Sequence, residues 1–245
     1  MKKRGDLFGL SRKEIIRILI FLLVVNNLVL FAYTYTASLT GKAIFEYANI
    51  TRVIDGDTFE YELGKARLLG VNTPEKNQLY YDEAKDFLSE FEGKQIKIEK
   101  KDKDKYERDL VYVYFNDELI NKEILEKGLG SLYYYEKDNH FNEMKRAEEN
   151  ARNEEIGVWK KSSNFGCVKL IELKYEENER CNNEEQLILF NKCEKIQAVL
   201  KDDATHIFNI NLNGMFVQNF SCNWNNDGDS LYLWDKDGLI LFYRY

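Results

Sequence analysis

The sequence predicts a mainly β protein with helices: an N-terminal membrane-spanning helix, a five-stranded barrel carrying three helices, and a β-sandwich. Three observations predict it. An apolar run follows a basic stub at the N-terminus. From residue 45 the chain alternates polar and apolar residues with period two, broken by a few helical stretches. Beyond residue 160 the helical periodicity disappears and only short strand-like segments remain.

The first element is residues 1–40. Lys2, Lys3, Arg4, Arg12, Lys13 and Arg17 precede an apolar run over residues 18–37. About 20 residues rising ~1.5 Å each span ~30 Å, the thickness of a bilayer's hydrocarbon core. Positive charge before the run and little after it predicts a cytoplasmic N-terminus and an exported remainder. Asn26 and Asn27 lie near the centre of the run. A retained anchor and a cleaved signal peptide, with Thr36 and Ser38 as small residues near the cut, both stay open. The protein is thus expected to be membrane-anchored with its remaining domains outside the cell, or secreted.

The second element is residues 45–161. Strands are predicted over 47–54, 57–63 and 66–71, with a hairpin corner at 63–65. Pro74 is expected to open a helix whose apolar face is Ala84, Phe87, Leu88 and Phe91, ending at Gly93. Residues 95–100 and 110–115 read as two more strands around the charged loop KKDKDKYER, with a turn at Asn116 and Asp117. A short helix over 118–127 stops at Gly128, and Phe141, Met144, Ala147 and Ala151 mark a last helix reaching about residue 155. Five short strands with a helix after the third and two at the end suit an OB-fold.

Residues 160–164 read as a linker to the third element, 165–245. Strands are predicted over 168–175, 185–190, 196–201, 206–210, 231–234 and 239–245, with DKDG at 235–238 as a hairpin turn. This pattern predicts a β-sandwich. All four cysteines (Cys167, Cys181, Cys193 and Cys222) lie here. An even number confined to one exported region predicts two disulfides, with three pairings open. A zinc site is the weaker reading, because no C-x-x-C pair occurs and His206 is the sole nearby histidine. The formal net charge of −7 argues against avid nonspecific binding to nucleic acid, which rests on a basic surface. It is compatible with transient binding aided by a cation.

The residues that carry chemistry fall between Asp55 and Arg108. Asp57, Asn72 and Thr73 offer oxygen ligands of the kind that suit Ca²⁺. Glu75 is placed to position or deprotonate a water. Arg67 and Arg108 can each grip phosphate oxygens through paired N–H groups and offset charge that builds on them. Taken singly, each fragment has an ordinary explanation: a turn, a helix start, a solvated strand face. Their order on one small strand-built core is what joins them.

On VIDGDT at 53–58, RLLGVNTPE at 67–75, KYERDLVYVY at 105–114 and EEIGVW at 154–159, the chain resembles the staphylococcal nuclease (thermonuclease) family over about residues 47–160. The resemblance implies an OB-fold nuclease that uses Ca²⁺ to hydrolyse DNA and RNA to 3′-phosphate products. It carries the metal role to Asp57, Asn72 and Thr73 and the catalytic role to Arg67, Glu75 and Arg108. Substrate binding is carried to Lys105, Tyr106, Tyr133 and Tyr135.

Two positions depart from the family pattern. Asn72 stands where aspartate is common, which removes one negative charge from the cation site. Glu107 stands in place of glycine in K-Y-G-R and sets a carboxylate beside Arg108. Residues 165–245 resemble the lamin-tail domain, an immunoglobulin-like sandwich, through EEQLILFN, IQAVLKDDATHIF and WNNDGDSLYLWDKDG. That resemblance implies a targeting or interaction module with a protein or surface partner, and brings no catalytic residues. The competing reading is a noncatalytic surface module that keeps the fold and binds nucleic acid or protein.

Overall fold

The computed structural model describes residues 12–39, 45–134, 136–175, 185–203, 206–221, 223–224 and 228–245, with side chains of the first helix given over 13–29. That helix, α1 (Arg12–Leu39), forms a compact unit of its own, and residues from Phe45 onward form a second. Its apolar side chains, such as Leu19, Phe21 and Leu23, are exposed. Asn27 donates its amide to the Leu23 carbonyl one turn back, a 2.8 Å bond that satisfies one N–H locally. The expected membrane-spanning helix is not found: among the described residues, no helix is long and apolar enough to cross a membrane. The described side chains include Arg17, Asn26 and Asn27, and the second part of the apolar run, residues 30–37, lies outside them.

The second unit begins with a closed five-stranded barrel. Its strands are β1 (Phe45–Val53), β2 (Thr58–Tyr61), β3 (Gly64–Leu68), β5 (Gln95–Lys103) and β6 (Asp109–Phe115). They run in the order β3-β2-β1-β5-β6, and β3 pairs in parallel with β6 to close the ring. Alternating residues fill it: Ile50, Phe59, Leu68, Ile96, Ile98, Val111 and Val113 are all buried. β4 (Val71–Asn72) pairs outside the ring with β8 (Ser131–Leu132). Asn116 and Asp117 both have positive φ, as a two-residue turn into β7 (Glu118–Leu119) requires.

Three helices pack on this barrel: α2 (Tyr81–Ser89), α3 (Ile120–Glu126) and α4 (Phe141–Asn153). The expected apolar face of α2 is present, with Ala84, Phe87 and Leu88 buried. Its start is not at Pro74. Asn77 and Tyr80 have φ of 73° and 67°, which a right-handed helix does not tolerate, so residues 74–80 form a loop. Glu75 consequently sits on that loop and not in a first helical turn.

The C-terminal region departs further from expectation. Its described strands form one five-stranded antiparallel sheet and not the two facing sheets of a sandwich. The two strands predicted over 185–190 and 196–201 are a single strand, β10 (Glu185–Lys201), with an irregularity between Asn191 and Ile196. β11 (Ile207–Phe220) pairs along one whole edge of it. The other edge is shared, by β9 (Val168–Lys174) near its start and β12 (Ser230–Trp234) near its end. β13 (Leu239–Arg244) follows β12 through the expected turn, where Asp235 Oδ1 accepts from the Asp237 and Gly238 amides. Sharing one edge between two strands curls the sheet into a half-barrel over a core of Leu187, Leu189, Leu200, Leu212, Leu231 and Ile240.

One of the expected disulfides is present, Cys167–Cys193, with Cα atoms 5.5 Å apart. Cys181 and Cys222 lie outside the described residues.

Barrel and sheet meet in a third core. Ala151, Val158 and Trp159 from the end of the nuclease-like region pack on Tyr232 and Leu239. Residues 160–164 are not a slack tether, since Leu239 N donates to the Lys160 carbonyl and Ser162 N to the Leu239 carbonyl. Across the same seam Arg244 makes a two-pronged ion pair with the fully buried Glu148, at 2.6 and 3.1 Å. Glu148 also accepts the Leu132 amide, so one carboxylate ties α4, β8 and β13 together.

Candidate active site

The first strand pair presents Asp57 at a sharp turn. Asp55 Oδ1 accepts the Asp57 amide across the DGD corner, and the Asp57 carbonyl accepts Leu68 N from β3. Asp57 is 3% exposed, which would be costly for an unpaired carboxylate. It is fully engaged. Oδ1 accepts from Arg67 Nη1 at 2.7 Å and from Thr58 Oγ1 at 2.9 Å, and Oδ2 accepts the Thr73 amide at 3.1 Å. Arg67 reaches further, with Nη2 3.3 Å from Asn72 Oδ1. Burial alone would lower the Arg67 pKa, but Asp57, Asp55 and Glu75 outweigh it and raise it. Asp55, half-buried and beside Asp57, is pushed up to about 6 by that burial and that charge.

Arg108 joins the same network from β6. Its Nη1 donates to Thr58 Oγ1 at 3.1 Å, while Nε and Nη2 hold Asp104 at 2.7 Å. A chain Arg108–Thr58–Asp57–Arg67 therefore fixes both guanidinium groups on one side of the barrel. Glu75 faces this chain from the 74–80 loop. Its amide donates to Gln78 Oε1 at 2.7 Å, which pins the loop. Among the described residues its carboxylate has no hydrogen-bond or ion-pair partner and is open to a water.

The remaining expected residues divide. Tyr106 is exposed and sandwiched between cations, with Lys105 Nζ 5.1 Å and the Arg108 guanidinium 5.4 Å from its ring centre. Tyr133 is half-buried, and its amide donates to the Gly70 carbonyl. Tyr135 lies outside the described residues. Glu107 has φ of 61° and is exposed, so the conformation that explains a family glycine holds its carboxylate away from the Arg108–Asp104 pair.

Two features were not legible beforehand. Asn72 does more than offer an oxygen: its Nδ2 donates at 2.8 Å to the carbonyl of Asp203, in the loop after β10. An aspartate there would face that carbonyl without a proton, so the sheet's docking itself accounts for asparagine. Next along, Lys201 turns its side chain inward and is only 4% exposed. Burial lowers its pKa, opposed by Glu75 and Asp57, which places its ammonium within their field. The segment IQAVLKDDATHIF contains Lys201 but assigns it no role, because that role depends on β10 running on to the seam.

Hard-cation chemistry fits the donors present. Asp57, Asn72 and Thr73 are all oxygen-bearing and contiguous, as Ca²⁺ prefers. They bring one formal negative charge, and Arg67 already offsets it. Among the described residues, no cluster of three or more His, Cys, Asp or Glu side chains forms a metal site.

Comparison with known proteins agrees with this geometry. Residues 65–161 match the model for the staphylococcal nuclease homologue family. The chain is 32% identical over 124 residues to a thermonuclease of Staphylococcus hyicus, covering 45% of this chain and 73% of that protein. It is 29% identical over 126 residues to the thermonuclease of Staphylococcus intermedius, 46% of this chain and 75% of that one. An uncharacterized endonuclease of Haemophilus influenzae is 31% identical over 116 residues, and this chain spans 64% of its length.

Proposed function

The chain belongs to the staphylococcal nuclease homologue family, and from that premise we propose that it hydrolyses phosphodiester bonds of DNA or RNA, using Ca²⁺ and leaving 3′-phosphate ends. The observation that carries this reading is the Arg108–Thr58–Asp57–Arg67 chain with the half-buried Glu75 close enough for its charge to act on Arg67. Two fixed guanidinium groups suit three equatorial phosphate oxygens whose charge rises as a nucleophile adds.

In this mechanism Glu75 accepts a proton from a water as that water's oxygen bonds to phosphorus. The P–O5′ bond breaks with its electron pair leaving on O5′, which takes a proton from solvent water to become the 5′-hydroxyl, and phosphate stays on the 3′ side. Arg67 and Arg108 hold the phosphate oxygens throughout, and Asp57 and Asp104 keep the guanidinium groups from swinging away. Tyr106 offers an aromatic face to a neighbouring base, and Lys105 a charge to its phosphate. Asp57, Asn72 and Thr73 would hold the cation, which supplies charge neutralisation and orients water when bound. The measurement is cleavage of end-labelled single-stranded DNA by the full chain, in Ca²⁺ and then in excess chelator. Ca²⁺-dependent cleavage with 3′-phosphate ends is expected, and no cleavage across a wide Ca²⁺ range would sink the proposal.

A specific observation favours a second reading, a noncatalytic binding module. Both oxygens of Asp57 are already satisfied by protein donors, so the fold stands without a cation. Under that reading oligonucleotide binding would persist and no bond would be cut.

We also propose export from the cell, supported by the basic stub before an apolar run and by the Cys167–Cys193 disulfide. Protease added to intact cells should then degrade the mature chain; full protection would contradict export.

A further inference from the structure

A groove of about 660 Å³ lies at the seam between barrel and sheet. It starts at Asn72 and Thr73, follows the 74–80 loop, and is walled on the far side by β10, β11 and β12. Two of its lining groups carry N–H donors that no protein acceptor takes up among the described residues. Lys201 is 4% exposed, and among the described residues its ammonium makes no hydrogen bond, although Glu75, Asp57 and Asp202 act on it through space. Gln78 Nε2 is also buried without a partner, although its Oε1 holds the Glu75 amide. Burying the Gln78 amide N–H unpaired costs stability, whereas the Lys201 ammonium is balanced by carboxylates and still has its N–H groups to give.

Both are donors, and both line one cavity, so a ligand rich in acceptors suits them. A phosphate supplies acceptors for a lysine, and a nucleobase carbonyl or ring nitrogen supplies one for a primary amide. The wall adds the aromatic rings of Tyr80 and Trp234, the latter fixed by its N–H to the Val158 carbonyl and by stacking on Tyr232. The volume falls within the ordinary range for a small-ligand site, about 300–1,000 Å³, which admits one unstacked nucleotide and no duplex.

We propose that this groove is a nucleotide subsite of the nuclease, in which Lys201 holds the phosphate next to the scissile one and Gln78 binds the base of an unpaired nucleotide. The inference rests on the phosphodiesterase reading for its register, since the groove opens at the residues placed around the scissile phosphate. It makes the C-terminal sheet a part of the substrate site. Because Gln78 also holds the Glu75 amide, filling the groove bears directly on the loop that carries Glu75.

The test is fluorescence anisotropy of a labelled oligothymidylate octamer with the full chain in excess chelator, so that binding is read without cleavage. Lys201→Met should weaken binding about tenfold and reduce the slope of log affinity against log salt by about 0.7, the value for one lost contact to single-stranded phosphate. Lys201→Arg should keep the slope. Asn209→Trp, on an exposed groove wall away from Arg67, Glu75 and Arg108, should weaken binding by blocking the groove. Wild-type affinity and slope in a cooperatively melting Lys201→Met overturn the proposal. Should that variant fail to fold, wild-type affinity in Asn209→Trp overturns it. Loss of the phosphate contact in a chain that never cuts DNA would instead refute the nuclease reading and leave the subsite standing.

Discussion

The two sides of the active-site seam are built by different rules. On the barrel side Asp57, Arg67, Asn72, Glu75 and Arg108 come from three short stretches of sequence, and strand pairing brings them together. Asp57, Arg67 and Arg108 are held within the barrel, Asp57 with Arg67 and Arg108 with Asp104, and only Asn72 reaches across to Asp203. On the sheet side Lys201, Asp203 and Arg244 are single residues to which no motif assigns a role. They reach the seam because β10 and β13 end there. The difference teaches that the barrel side is a self-contained catalytic geometry, while the sheet side is made by docking and should fail when docking fails.

Breaking the dock gives the largest effect. Arg244→Met leaves Glu148 charged, fully buried and without its bidentate partner. Removing one member of a buried pair costs about 3–5 kcal/mol. Urea unfolding should report that loss, and the double variant Arg244→Met, Glu148→Leu should regain much of it. A single variant within 1 kcal/mol of wild type, a bound well under that cost, would mean the seam is not held by this pair.

Asp203 gives the next effect, and a pH signature. Burial pushes its carboxyl up to about 6, against relief from Arg244 and Tyr232. A folded pKa raised above the unfolded value means its stabilisation is full below the unfolded pKa, near 4, and is lost as pH rises through about 6. That component amounts to roughly 2–3 kcal/mol. Asp203→Asn should remove it, so the stability difference between variant and wild type should shift in favour of the variant between pH 4 and 7. Parallel curves across that window would refute it.

Asn72 sits on the line between the two sides, and its substitution should separate them. Asn72→Asp adds a charge for a cation but loses the N–H that the Asp203 carbonyl accepts. The half-maximal Ca²⁺ for activity should fall, while stability drops by about 1–2 kcal/mol for the acceptor left unmet. An unchanged Ca²⁺ midpoint would remove Asn72 from the cation site. The smallest effect belongs to the barrel side alone. Glu107→Gly relieves a side chain held at φ of 61° and should stabilise by about 1 kcal/mol, read in the melting temperature. A destabilised variant would show that the Glu107 side chain contributes more than its strain costs.

Much of the barrel side was legible in the sequence. Period-two alternation located its strands, and Gly93 and Gly128 end helical stretches as their positive φ allows. The 74–80 loop was not, because Pro74 is an acceptable first helical residue and only the left-handed conformations of Asn77 and Tyr80 decide otherwise. In the C-terminal region the strand positions were legible but their joining was not. The segment NKCEK at 191–195 reads as a break, yet β10 passes through it as an irregularity in pairing. Glu148 and Arg244 looked like ordinary charged residues on a helix and near a terminus, since a contact 96 residues apart leaves no local trace. A still longer separation, 131 residues, hid the reason for Asn72, which is read in the family pattern as a lost charge and in the fold as a gained donor.

The central claim, that Glu75 opposite two fixed arginines makes this chain a nuclease, is tested most directly by single-turnover cleavage of single-stranded DNA in saturating Ca²⁺ by wild type and Glu75→Gln. Removal of a general base costs about 10²–10⁴-fold in rate, so the account predicts a loss of that size with oligonucleotide binding in chelator unchanged. A Glu75→Gln protein that cleaves at the wild-type rate would contradict it.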